Sequence, residues 1–167
     1  MKAVIFDLDQ TLIDSNFLEP LRKERRWSEI YMKIPQIKKY AGVEQVFTYL
    51  REKKINIALV SSSPKPYMTK ICQHFGWNFD CLVGYHDTTK HKPHPEPLLF
   101  AANALGINPS ECWSIGDLPK DIEAAKQANM TAVAAMWGTF ESEEVERAMP
   151  DFYARSPDDL LELLNNH

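Results

Sequence analysis

The sequence predicts an α/β protein of three layers, a parallel sheet with helices on both faces. Three observations lead there. Short apolar runs alternate with helical patterns through the 167 residues, as in repeated strand–helix–strand units. Several runs are apolar at nearly every position, as strands covered on both faces are. Acids, serines and a lysine gather directly after those runs, and parallel sheets bind ligands at the carboxyl ends of their strands.

The first strand is expected over residues 2–8, on Ala3-Val4-Ile5-Phe6, with Asp7-Leu8-Asp9-Gln10-Thr11 at its end. Side chains two apart on a strand point to one side, so Asp7 and Asp9 are expected to share a pocket at the sheet edge. Carboxylates that close repel unless a cation or a shared proton intervenes. The pair therefore predicts a metal site, an acid/base couple, or both.

Residues 12–40 break the alternation, being long for a strand-to-helix connection. They carry seven basic residues, Arg22, Lys23, Arg25, Arg26, Lys33, Lys38 and Lys39, against the four acids Asp14, Glu19, Glu24 and Glu29. Trp27 and Tyr31 lie four apart and would share a helix face. A small insertion over the sheet edge is expected, either presenting a basic, aromatic surface or packing its aromatics onto the core. Pro20 and Pro35 interrupt any single long helix there.

The alternation then resumes. A helix is expected over residues 43–53 and a strand over 55–60, which ends in Ser61-Ser62-Ser63-Pro64. Pro64 suits the first turn of a helix over 65–75, with Ser63 as its cap, and free N–H groups at such a turn favour an anion. A strand over 81–84 precedes the basic loop Lys90-His91-Lys92-Pro93-His94-Pro95 and a helix over 95–105. The strand over 112–115 ends in Gly116-Asp117-Leu118-Pro119-Lys120-Asp121. Asp117 and Asp121, four apart, can face one way as the helix over 121–128 opens. Strands over 131–136 and 151–154 and helices over 141–148 and 158–164 complete the chain.

Composition narrows the classes. The length suits one domain, residues 1–167, and 44% hydrophobic with 25% charged residues is ordinary for a globular chain. A net charge of -4 gives no reason to expect nucleic-acid binding. The N-terminal apolar run is short and followed by acids, unlike a signal peptide, and no stretch nears the roughly 20 apolar residues of a membrane span. Cys72, Cys81 and Cys112 lack CxxC spacing, and a reducing, cytoplasmic setting is expected. His86, His91 and His94 with Cys81 match no tetrahedral zinc spacing; His91 or His94 is expected near the site mouth.

Singly, each polar residue has an ordinary use as turn, cap or solvated charge. Jointly they suit a divalent cation beside a phosphate, because Mg²⁺ prefers oxygen ligands and shares its shell with substrate phosphate. The chain here resembles the haloacid dehalogenase-like hydrolases, a Rossmann-like family. Their DxDx[TV] motif matches Asp7-Leu8-Asp9-Gln10-Thr11, their Ser or Thr after a strand matches Ser61, their Lys before a helix matches Lys92, and their GDxxxD matches Gly116-Asp117 with Asp121. All four occur in the family's order, and the likeness spans the chain apart from the insertion. Gln10 stands where glycine is common.

The resemblance implies roles. Asp7 would be the nucleophile and Asp9 the general acid and base. Mg²⁺ would be held by Asp7, the main-chain carbonyl of Asp9 and Asp117, with Asp121 as ligand or neighbour. Ser61, the Ser62 amide and Lys92 would hold the phosphoryl oxygens, and Thr11 would orient the first loop beside the substrate. Asp9 itself favours a phosphatase over the family's dehalogenases, which lack it. A phosphomutase needs a cap that excludes water, and the insertion is small for that. A non-catalytic phosphate-binding domain would be expected to lack a motif residue. The partner is thus a phosphorylated substrate, most simply a small molecule; the open site also admits a bulky one.

Overall fold

The computed structural model describes Met1–His167. In chain order the elements are β1 (Ala3–Phe6), β2 (Ile13–Asp14), α1 (Glu19–Lys23), α2 (Trp27–Lys33), β3 (Lys38–Lys39), α3 (Val43–Glu52), β4 (Asn56–Val60) and α4 (Lys65–Phe75). There follow β5 (Cys81–Val83), α5 (Glu96–Leu105), β6 (Cys112–Gly116), α6 (Pro119–Gln127), β7 (Thr131–Ala135), α7 (Ser142–Arg147), β8 (Phe152–Ala154) and α8 (Pro157–Asn165). Six strands form one sheet in the order β5-β4-β1-β6-β7-β8, and every pair in it is parallel.

Alternation along the strands divides the core into two layers. Val4 and Phe6 of β1 join Ile57 and Leu59 of β4 and Ile115 of β6 on one face, under α3, α4 and α8. Ala3 and Ile5 join Ala58, Val60 and Ala134 on the other, under α5, α6 and α7. Small residues dominate this second face, so its helices lie close to the sheet. No helix is long and apolar enough to cross a membrane.

From β1 the chain moves outward through β4 and β5, then returns to pair β6 with the opposite edge of β1. A reversal of this kind leaves a crevice at the strand ends. The β1, β4 and β6 ends, with Asp7, Ser61 and Asp117 just beyond, converge there.

Residues 12–40 lie between β1 and α3. Strands β2 and β3 pair antiparallel at the base, with α1 and α2 between them. The segment is anchored by Leu12, Ile13, Leu18, Ile30, Ile34 and Ile37, all in the core. Trp27 packs against Tyr67 of α4 at 5.9 Å, and Lys70 lies over Tyr31 at 5.1 Å. Both aromatics therefore pack against α4. Much of the basic character is neutralised at the surface: Lys23 pairs with Glu19, Arg26 with Glu24 and Glu29, and Lys39 with Glu44. Exposed pairs like these add little stability.

Two local expectations are corrected. β1 ends at Phe6 rather than residue 8, so Asp7 and Asp9 lie beyond the strand and its alternation does not aim them. Ser63 does not cap α4: Pro64 holds the cap position, and no side chain caps there. The Ser63 hydroxyl turns to Asp9 instead. The cysteines are free thiols, with Cys72 and Cys112 buried.

Candidate active site

Beyond β1 the chain turns sharply. Asp7 N–H still bonds Ile115 C=O at 2.9 Å, fixing the first acid to β6. Gln10 takes a left-handed φ of 65°, a conformation that glycine adopts without strain. Its side chain compensates: Oε1 accepts from Ser15 N–H at 2.8 Å, and Nε2 donates to Tyr40 hydroxyl at 3.2 Å. The same loop is braced by Gly138, where a Cβ would stand 1.6 Å from the Gln10 carbonyl oxygen.

Carboxylate oxygens of Asp7, Asp117 and Asp121 lie within 4.8 Å of one another. Gly116 makes this possible, since a Cβ there would stand 2.4 Å from Asp121 Cβ. Lys92 supports the cluster from beneath. Its ammonium donates to Asp7 Oδ1 at 2.9 Å, Asp121 Oδ1 at 2.8 Å and Val60 C=O at 2.9 Å. Those bonds use all three of its N–H groups, and its side chain is only 4% exposed. Lys92 thus grips the acids, and a phosphoryl contact requires it to exchange one of these partners.

The electrostatics are unbalanced. Burial pushes the Asp117 carboxyl well above the usual range, helped by Asp7 and Asp121 and opposed by the Thr11 hydrogen bond. Burial also raises Asp7, against the lowering pull of Lys92. On Lys92, burial works to lower the ammonium, but Asp121 and Asp7 outweigh it and hold it above the usual lysine range. Three acids share one cation, the condition a bound divalent ion relieves.

Thr11 is corrected as a neighbour of substrate. It is 0% exposed, and its hydroxyl donates to Asp117 Oδ1 at 3.0 Å. Trp137 Nε1 holds its carbonyl at 3.0 Å. Thr11 therefore positions an acid.

Asp9 faces away from the cluster toward residues 12–40. Its Oδ1 accepts from Ser15 Oγ at 2.6 Å, Tyr67 hydroxyl at 2.9 Å and Arg22 Nη1 at 3.0 Å. Its Oδ2 accepts from Ser63 Oγ alone, at 3.0 Å. Oδ1 is anchored and Oδ2 retains open valence.

A cavity of about 620 Å³ opens over these groups. Asp7, Asp9, Asp117, Ser61, Ser62 and Ser63 form part of its lining, with Arg22, Lys23, Arg25 and Trp27 on the wall from residues 12–40. Lys120, Tyr85, His86 and Phe140 also face it. His86 lines this cavity, whereas His91 stacks on Tyr85 at 3.9 Å and His94 Nδ1 accepts from Glu96 N–H. Arg22, Tyr67, Ser15, Ser63 and Lys120 were not singled out by motif. Arg22 and Ser63 stood in runs flagged for charge and hydroxyls, while Tyr67 carries no sequence signal.

A parallel α/β sheet with a lysine-braced acid cluster at its switch point places the site where folds of this class bind their ligands. A haloacid dehalogenase-like hydrolase model matches residues 19–135, and the chain belongs to that family. A Clostridium perfringens protein provisionally named pyrophosphatase PpaX is 30% identical over 208 aligned positions, covering 98% of this chain and 97% of the relative. Those positions outnumber this chain's 167 residues, so the relative carries segments absent here. A phosphoglycolate phosphatase of Aquifex aeolicus is 26% identical, covering 100% of this chain and 98% of the relative. Among solved structures, a hydrolase from Pseudomonas syringae superposes with a TM-score of 0.85 at 23% identity over 99% of both chains.

Proposed function

We propose that this protein is a Mg²⁺-dependent phosphomonoester hydrolase acting through an aspartyl-phosphate on Asp7. The observation that carries the reading is the Asp7–Asp117–Asp121 cluster, gripped by Lys92 and opening on a cavity lined by Ser61 and Ser62.

The donor set fits the ion. Three carboxylates supply hard oxygen ligands, the type Mg²⁺ takes, and burial has left them short of positive charge. Asp7, Asp117 and the Asp9 carbonyl would hold it, with Asp121 beside them. When bound, Mg²⁺ lowers the repulsion between Asp7 and an anionic phosphate.

The remaining steps belong to the chain. Lys92 fixes Asp7 Oδ1 and leaves Oδ2 without a hydrogen bond from a side chain. The Asp7 carboxylate attacks phosphorus, the ester P–O bond breaks, and the leaving oxygen takes a proton from Asp9. Water then attacks the aspartyl-phosphate and gives its proton to Asp9, releasing phosphate and restoring Asp7. Asp9 Oδ2 is suited to carry that proton, since Oδ1 is tied to three donors. Ser61 and Ser62 would receive the phosphoryl oxygens, positioning that supplies much of the rate in phosphoryl transfer. Residues 12–40 serve as a small cap, contributing one wall of the cavity. Free thiols at Cys72, Cys81 and Cys112 support a reducing, cytoplasmic setting.

The test is phosphate release from a panel of small phosphomonoesters, with Mg²⁺ and with EDTA. Release that needs Mg²⁺ and falls at least ~10³-fold in Asp7→Asn supports the reading. Undiminished release by Asp7→Asn overturns Asp7 as nucleophile.

A further inference from the structure

The guanidinium of Arg22 occupies a position no motif assigns. It projects from α1 into the cavity wall, with a side chain 16% exposed beside an Asp9 that is 17% exposed. Only Nη1 is engaged by the protein, at Asp9 Oδ1 (3.0 Å), Ser15 Oγ (3.1 Å) and Ser15 C=O (3.2 Å). Nε and Nη2 carry no protein hydrogen bond, although a guanidinium is built to donate in pairs to a carboxylate or phosphate. Two further cations line the same cavity without an acidic partner. Arg25 makes no ion pair, and Lys120 reaches only Ser62 Oγ at 3.4 Å. Among the wall acids, Glu19 is paired with Lys23, leaving Glu141 unpaired.

Building on the phosphomonoesterase reading, we infer that the substrate carries a second anionic group on its non-transferred part, and that Arg22 reads it. One edge of the guanidinium anchors Asp9 while the free edge takes the second anion, with Arg25 and Lys120 adding charge nearby. Arg22 thereby ties recognition of the leaving group to the placement of the residue that protonates it. A substrate without the second anion leaves the free edge of a largely desolvated cation unpartnered, a loss that lowers kcat/KM through kcat as well as through a raised KM.

A matched pair of esters tests this: 2-carboxyethyl phosphate and the uncharged analogue propyl phosphate, each assayed with Mg²⁺. The wild type is expected to favour the carboxylated ester by about tenfold or more in kcat/KM, the scale of one charged hydrogen bond. Arg22→Gln is expected to bring that ratio close to one and to lower kcat on propyl phosphate through the loosened Asp9. Arg22→Lys keeps charge without the fork and should recover part of the preference. Because removing Arg22 disturbs a buried pair, the wild-type ratio stands as evidence on its own. Equal rates on the two esters overturn this inference alone, as does a preference unchanged in folded Arg22→Gln. No release from either ester overturns the phosphatase reading together with it.

Discussion

Residues that touch no substrate decide whether the acids are available. Thr11 is the clearest case, because its hydroxyl is the side-chain donor to a buried Asp117. Thr11→Val keeps the shape and deletes the donor. Stability should fall by ~1–3 kcal/mol, the cost of leaving a buried acceptor without its partner, as read by chemical denaturation. Mg²⁺ affinity should fall ~10–100-fold in calorimetric titration, the usual effect of removing support behind a metal ligand. Unchanged affinity would show that Asp117 needs no orienting bond. Tyr67 offers the parallel test on Asp9. Burial, aided by the nearby Asp9 carboxylate, raises its hydroxyl far above the usual tyrosine range, so it stays a donor at every working pH. Tyr67→Phe should lower kcat several-fold, since a neutral hydrogen bond is worth ~1 kcal/mol, with KM little changed. A KM effect alone would place Tyr67 in binding instead. The acids and Ser61 were legible because they directly follow apolar runs, and Lys92 because it stands in a basic loop ahead of a helix. Tyr67 was not, since nothing in a helix pattern tells a core tyrosine from one whose hydroxyl emerges beside a carboxylate.

At the scale of elements, the central strands of the main sheet were legible because burial on both faces makes them nearly continuous apolar runs, while the edge strand β8, with Tyr153 exposed, gives a weaker signal. Their ends were less so. A side chain just past a strand looks like the strand in sequence, as Asp7 does, yet the loop aims it. Residues 12–40 were legible only as an interruption. Their strands of 2 residues and helices of 5 and 7 are too short to be stable by propensity, and they persist because core side chains hold them. The β6–α6 junction shows how tightly two elements can be coupled. Gly116 ends β6, and Asp121 lies in the first turn of α6, where its Oδ2 accepts from Leu118 N–H at 3.1 Å. Gly116→Ala drives a methyl into Asp121, so α6 must shift at its start. The expected cost is ~1–3 kcal/mol of stability, typical of overpacking. Turnover should drop ~100-fold, because sub-ångström displacement of a reacting group is felt steeply. Melting temperature and kcat measured together separate the outcomes, and a stability loss with normal kcat would mean that α6 moves without carrying Asp121 away.

Across the whole molecule, the acid cluster gathers three carboxylates around a single lysine. Asp7, Asp117 and Asp121 lie around one Lys92, in the crevice where the central strands end, and burial raises the Asp7 and Asp117 carboxyls. An ion that binds the folded state and not the unfolded chain stabilises by mass action, ~2.7 kcal/mol at a hundredfold excess over its Kd. For a domain of this size that corresponds to a rise in Tm of roughly 5–10 °C, at 2–4 °C per kcal/mol. Mg²⁺ should therefore raise the Tm of the wild type, and EDTA should reverse it. Asp117→Asn separates the two halves of the argument. Above about pH 8, where the raised Asp117 carboxyl ionises without an ion beside it, the change removes one of the crowded charges, so in EDTA at that pH the variant should melt higher than the wild type. It also removes a ligand, so its response to Mg²⁺ should shrink towards zero. Scanning calorimetry of both proteins in both conditions gives four temperatures, and the crossing pattern is the signature: variant above wild type without the ion, below it with the ion. Parallel shifts in the two proteins would mean that the ion binds elsewhere. A variant less stable in EDTA would mean that Thr11 and Lys92 already balance the cluster, and that its acids are held together by hydrogen bonds rather than waiting for a cation.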